Sequence, residues 1–284
     1  MEVVSCVLKK IGSVWKTGSS QDDLIYPNWA ITRACYYGDS KLMMRPTPLA
    51  FYDLDGTLVS GNVVIQYAFF CRNQPSRLRA FYKYARLLLS VPVLIGLDRY
   101  SRRLFNEIFY REYRGMQKEW LRGLADDLFG KVIRPTIFPG AEALVETDRA
   151  AGFRTVLVTG TLDFVLEPLV RHFGFDRVIC NSLVYKNGAA TGEIARPLIA
   201  EKEKVEAMVQ LCREYNVDSA YSKAYSDSWS DLPMLEAVGL PSAVNPDRRL
   251  KRLAIQRGWP ILNLKAKNHV HAEPARKGAG LRVS

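Results

Sequence analysis

The chain has 284 residues, 48% hydrophobic and 24% charged, which suits a folded globular protein with its own core and excludes disordered, collagenous and disulfide-stapled classes. Its formal charge of +11 points to acidic partners (phosphorylated compounds, anionic membrane or nucleic acid) and equally to plain solubility. Five scattered cysteines without metal-ligand spacing read as reduced thiols of an intracellular protein, cytoplasmic or organellar, and three histidines, two of them in the tail, give no basis for a zinc site or a His triad.

Residues 1–47 show no sustained periodicity and read as an N-terminal extension. An organelle-targeting role is one reading; Glu2, Asp22, Asp23 and Asp39 are more acid than such segments usually carry. The short apolar run Leu49-Ala50-Phe51-Tyr52, bounded by Pro48 and Gly56, predicts a buried parallel strand that ends on Asp53. Residues 61–135 have helical spacing and few β signals, and predict an inserted, all-helical cap. Within it, residues 72–122 hold twelve Lys or Arg against four Asp or Glu. Arg72, Arg77, Arg79, Lys83 and Arg86 precede the apolar run Leu87–Leu97, which contains Pro92 and is too short to span a bilayer. No uninterrupted apolar run reaches about 18 residues, so no spanning helix is expected. The basic cap reads either as a buried helix with a solvated edge or as a peripheral contact with anionic membrane.

From Phe138 onward the pattern alternates. Helices are predicted over 141–150, 162–173 and 202–215. Strands are predicted over 154–159, near 178–180, over 220–225, near 243–244 and at 261–262. Asn187-Gly188 marks a hairpin turn. Alternating strand and helix predict an α/β fold, a Rossmann-like parallel sheet with helices on both faces. The core is then 48–60 with 136–265, and the basic tail 266–284 reads as disordered.

Three features fall at predicted strand ends, where open α/β sheets bind their ligands. They are Asp53-Leu54-Asp55-Gly56-Thr57, Thr159-Gly160-Thr161, and Asp227-Ser228-Trp229-Ser230-Asp231. A helix start with Lys202 and Lys204 precedes the third. Each alone is a weak signal; the ordered set is not. A phosphate monoester repels an attacking carboxylate, and a divalent cation between them removes the repulsion. Asp53 and Asp227 can supply carboxylates from neighbouring strands. Asp55, two residues from Asp53, lies on the same strand face and can serve as acid and base. A lysine, a hydroxyl and backbone amides can hold the phosphate oxygens.

The same segments resemble the four motifs of the haloacid dehalogenase superfamily over roughly residues 49–264, and the cap between the first two motifs resembles that of the phosphoserine-phosphatase-like branch. The resemblance implies an Mg²⁺-dependent phosphomonoester hydrolase working through an aspartyl-phosphate. Asp53 would be nucleophile and metal ligand, and Asp55 general acid/base with its backbone carbonyl on the metal. Thr159, Gly160 and Lys204 would bind phosphate, and Asp227 and Asp231 would complete the metal site. Lys204 is favoured over Lys202 because it opens a periodic helix through Val205, Met208, Val209 and Cys212. Asn62 stands where phosphoserine phosphatases carry a glutamate, which argues against phosphoserine and leaves a small phosphorylated metabolite or a lipid-related phosphate. A phosphotransferase or mutase on the same fold, and a membrane-associated binding module with weak catalysis, are the competing readings. No nucleic-acid motif is recognisable.

Overall fold

The computed structural model describes residues 47–265, which fall within one compact unit. The expectations for residues 1–46 and for the tail 266–284 lie outside the described residues.

The centre of the molecule is β1 (Leu49–Tyr52), buried along its whole length. Its residues alternate between two cores: Leu49 and Phe51 join one, Ala50 and Tyr52 the other. That two-sided burial is why the run is apolar throughout rather than alternating. β2 (Arg154–Leu162) pairs with one edge of β1, and β3 (Arg177–Asn181) lies beyond β2. A small antiparallel hairpin follows, β4 (Leu183–Lys186) and β5 (Ala189–Ile194), turning on Asn187 and Gly188, both at positive φ as that tight turn requires. On the other edge of β1 lie β6 (Lys223–Ser226), β7 (Leu240–Val244) and β8 (Ile261–Leu262). The six-stranded sheet is parallel, in the order β3-β2-β1-β6-β7-β8. The strand order reverses at β1, which places the ligand crevice at the carboxyl ends of β1 and β6.

The insert comprises α1 (Val63–Arg72), α2 (Arg77–Tyr100), α3 (Arg102–Phe109), α4 (Lys118–Gly123) and α5 (Ala125–Leu128). The core helices are α6 (Ala141–Ala150), α7 (Asp163–Phe173), α8 (Glu201–Glu214), α9 (Leu232–Glu236) and α10 (Arg248–Arg257). Insert and core share one hydrophobic cluster. Phe70 and Tyr113 set their ring edges against Phe164 of α7, at 5.7 and 6.2 Å between centroids. The hairpin backs the insert: the Gly115 amide donates to the Ala190 carbonyl and the Lys118 amide to that of Gly188, each at 2.8 Å.

Three expectations change. The short apolar run Leu87–Leu97 is part of the continuous 24-residue α2, which carries Pro92 in its interior. Its stretch Arg77–Leu97 is long and apolar enough, by length and composition, to cross a membrane, although no such helix is expected from uninterrupted apolar runs. Lys83 and Arg86 interrupt the apolar run without interrupting the helix. The strand expected from residue 220 begins at Lys223, because Ser219–Tyr221 form a 3-10 turn in which the Ala220 amide donates to the Asp218 carboxylate. β2 extends past Thr159 to Leu162, with a register irregularity against β3 between Val158 and Leu162.

Candidate active site

β1 delivers Asp53 to the crevice, and the chain turns immediately. The amide of Gly56 bonds the Val59 carbonyl, and those of Thr57, Leu58 and Val59 return to Leu54. Gly56 sits at φ +90°, and a Cβ there would lie 2.2 Å from Asp227 Oδ2. The turn therefore needs glycine twice over, for its backbone angle and for the room that Asp227 occupies.

Around this turn the side chains form a connected set. Lys204, buried near the start of α8, donates from Nζ to Asp53 Oδ1 at 2.7 Å and to Asp231 Oδ1 at 2.9 Å. The Ser226 hydroxyl donates to Asp231 Oδ2 at 3.0 Å. Lys202, the alternative lysine, is exposed. The single hydroxyl proton of Thr57 has two acceptors, Asp53 Oδ2 and Asp227 Oδ1, each 3.2 Å away. Thr161 donates to Asp55 Oδ2 at 3.3 Å, and its own amide donates to the Thr159 hydroxyl at 3.1 Å. Asp53, Asp55, Thr159, Gly160, Lys204, Asp227 and Asp231 thus line one pocket. Asp231 faces the lysine and Ser226, so its position is that of a brace for Lys204.

The electrostatics are unbalanced toward negative charge. Burial opposes the Lys204 charge, but Asp231 and Asp53 outweigh it and hold the ammonium above its ordinary range. That ammonium is already shared by two carboxylates, and Arg102, the other cation lining the pocket, only partly offsets the upward push on Asp53 and Asp55. Burial pushes Asp55 up to about 7, with Asp53 adding to it. Burial, Asp53 and Asp231 push Asp227 up to about 8. Burial also raises Asp53, with Lys204 pulling the other way. Asp55 Oδ1 is enclosed without a hydrogen-bond partner.

A divalent cation fits this deficit. Among the described residues no three His, Cys, Asp or Glu side chains form a ready-made metal cage. Mg²⁺ does not ask for one: one or two carboxylates with waters and the substrate's phosphate satisfy it. Asp53 and Asp227, with the Asp55 backbone carbonyl, offer hard oxygen donors of that kind.

Three residues outside the predicted set, Arg102, Asn106 and Asn181, also contribute, as does Asn62, which the sequence singles out for substrate choice. Arg102 and Asn106, one turn apart on α3, line the pocket from the insert. The Asn106 Nδ2 is buried without a partner, 3.0 Å from where a Cβ on Gly160 would sit. Asn181 donates to the Gly160 carbonyl at 2.8 Å and receives the Ile199 amide at 2.7 Å, joining the β2 end to the approach of α8. Asn62 lies at the pocket mouth, where its Oδ1 accepts the Val64 and Ile65 amides at 3.1 Å and caps α1. The i,i+4 spacing of Arg102 and Asn106 was the available signal; nothing local tells which helix face meets the core.

The haloacid dehalogenase-like hydrolase family matches residues 50–236. A relative described as a probable phosphatase of Mycobacterium tuberculosis is 30% identical over 224 residues, covering 77% of this chain and 76% of the relative. A crystal structure of a protein of unknown function from Bordetella pertussis Tohama I is 28% identical, covers 76% of this chain and 98% of that one, and has a TM-score of 0.68. A phospho-aspartyl intermediate analogue of a phosphoserine phosphatase, 17% identical, shares the fold over 79% of this chain and 96% of that one, with a TM-score of 0.59. The chain belongs to the haloacid dehalogenase-like hydrolases and is a phosphatase. Its parallel sheet and inserted helical cap have the fold seen in that phosphoserine phosphatase structure.

Proposed function

We propose that this protein hydrolyses a small phosphomonoester through an aspartyl-phosphate on Asp53, with Mg²⁺ held by Asp53, Asp227 and the Asp55 backbone carbonyl. The observation that carries the reading is the convergence of Asp53, Asp55 and Asp227 on one pocket with a single, shared lysine. The bound cation would neutralise the repulsion between the nucleophile and the phosphate.

In the first step an Asp53 carboxylate oxygen bonds to phosphorus and the bond to the ester oxygen breaks. Asp55 passes its proton to the departing alkoxide. In the second step the Asp55 carboxylate takes a proton from water as that water's oxygen bonds to phosphorus. The bond to Asp53 breaks, phosphate leaves, and both carboxyl groups return to their starting states. An acid pushed up to about 7 is available in both forms near neutrality, as these two roles demand. Lys204 holds Asp53 in place and offers positive charge to the phosphoryl oxygens, and Asp231 with Ser226 holds Lys204. Thr159 and Gly160 receive the phosphoryl group from the β2 side.

Asp53→Asn tests this. With Mg²⁺ and p-nitrophenyl phosphate, kcat is expected to fall at least about 10⁴-fold, the scale on which nucleophile removal acts. Turnover within tenfold of the unaltered enzyme would refute the assignment. Phosphate release in water alone, with no acceptor alcohol, separates hydrolysis from phosphotransfer.

A further inference from the structure

We infer that the substrate's leaving group carries a hydrocarbon chain, and that the enzyme meets it at an anionic lipid surface on which α2 lies. This rests on the phosphomonoesterase reading and adds a substrate class to it.

The pocket has two unlike parts. The polar end, at the carboxylates, offers about 50 Å³. Past Asn62, Val63 and Arg102 it opens into a groove of about 380 Å³. The walls of that groove are Val63 and Ile65 of α1, Val91, Leu94 and Ile95 of α2, and Phe105 of α3. With the phosphoryl group at the polar end, the rest of the ester must enter the groove. Arg102, at its neck, is the one charged lining residue among those described. A sugar or amino-acid moiety would find few partners there for its hydroxyl or ammonium groups, and leaving them unpaired is costly. Methylenes meet no such penalty.

The outer wall of the groove is α2, and its far side is bare. Leu78, Phe81, Tyr82, Leu88, Leu89 and Val93 are 57–82% exposed. Their three- and four-residue spacing, continued by Ala85 and Pro92, puts them on one stripe. Leu87 and Leu94, on the opposite side, are buried against the insert. One side of α2 is therefore sealed against protein, which fits a helix lying along a lipid surface and not one surrounded by lipid. Arginines supply the charge complement: Arg72, Arg77 and Arg79 are exposed in and just before the first turns of the helix, while Arg86, also exposed, is paired with Glu112. Apolar stripe and basic edge together match the interface of an anionic bilayer, with arginine heads on lipid phosphates and the stripe among the upper acyl carbons.

The full-length protein with Mg²⁺ is assayed on n-butyl and n-octyl phosphate, both monomeric in solution. Four further methylenes taken into the groove correspond to about a 100-fold rise in kcat/KM. Equal turnover of the two esters overturns the chain-binding groove and leaves the phosphatase reading intact. Absence of Mg²⁺-dependent turnover of either ester, and of p-nitrophenyl phosphate, removes the phosphatase reading itself. In parallel, co-sedimentation at low salt uses vesicles of phosphatidylcholine alone and of phosphatidylcholine mixed with phosphatidylglycerol. Binding is expected to the mixed vesicles only, and to fall at least tenfold in Leu89→Glu/Val93→Glu, with an unchanged Tm as the folding control. Arg77→Gln/Arg79→Gln, at exposed positions, reads the charge contribution separately should the first pair lower the Tm. Equal binding to both vesicle types, or none to the mixed ones, overturns lipid docking. So does a dimer in sedimentation velocity that Leu89→Glu/Val93→Glu dissolves, because a second copy would then be what covers the stripe.

Discussion

Asp227, the carboxyl proposed for the metal site, is held there at the expense of the fold. In solution such a group has a pKa near 3.8; here burial and the carboxylates of Asp53 and Asp231 push it up to about 8. Because the folded protein binds this proton more tightly than the unfolded chain, the site penalises folding increasingly as pH rises from about 4 to 8. Metal-stripped protein is therefore expected to gain Tm in Asp227→Asn at pH 8 and to gain nothing at pH 4, with Mg²⁺ raising the Tm of the unaltered protein alone. Thermal scans in chelator at the two pH values check this; an Asp227→Asn protein that is less stable at pH 8 would contradict it. Asn106 is the converse case, a buried donor with no acceptor in the folded protein. An acceptor brought by the substrate would satisfy it. Asn106→Ala is accordingly expected to lower kcat/KM about 10- to 100-fold, the worth of a charge-assisted bond, while Tm stays level or rises because an unpaired amide has been removed.

Among the elements, those bearing the acidic motifs were legible because each is local. Leu49–Tyr52 is an apolar run cut off by an aspartate, and a strand buried on both faces has no other pattern to show. Lys204 is preferred to Lys202 in the sequence because it opens the periodic run Val205, Met208, Val209 and Cys212; in the structure it is buried with Met208, Leu211 and Cys212, while Lys202 is exposed. The insert was harder. Pro92 and the charged residues of α2 obscure a single 24-residue helix, which packs against both of its flanking helices, α1 and α3; which of its faces they cover cannot be read from the local pattern. The late start of β6 was equally hidden, because the Ser219–Tyr221 turn that delays it packs against Gly239, the residue just before β7. There a Cβ on Gly239 would stand 1.9 Å from the Ala220 carbonyl oxygen. This is a demand for space, made by backbone that cannot step aside. Gly239→Ala is expected to cost about 1–3 kcal/mol, the range for overpacking, read as a lowered midpoint in urea with an unchanged slope.

At the scale of the whole molecule, the helical insert is an extension of the core. Tyr67, Phe70, Phe105 and Phe109 of the insert belong to the same cluster as Leu54, Leu144 and Phe164 of the core. Polar ties run alongside: the Arg102 amide donates to Glu201 Oε1 at 3.1 Å, and Arg103 pairs with Glu203 at 2.5 Å, so α3 is fastened to the helix that carries Lys204. A cluster shared in this way cannot lose one part and keep the other. Chemical unfolding is expected to be one transition, with far-UV dichroism and tryptophan fluorescence (Trp120 in the insert, Trp229 and Trp259 in the core) giving one midpoint. Two separated midpoints would show that the insert unfolds on its own.

Asn62 holds a consequence for anyone who would re-engineer this enzyme. Its side-chain oxygen caps the start of the first helix of the insert, and the same residue stands at the door of the pocket. Exchanging it for a glutamate to welcome an amino-bearing ester would remove a helix cap worth about 1 kcal/mol. A change of diet would thus fray the first turn of that helix, and directed evolution at this one position would keep returning destabilised variants until a second substitution supplied the first turn of α1 with another acceptor.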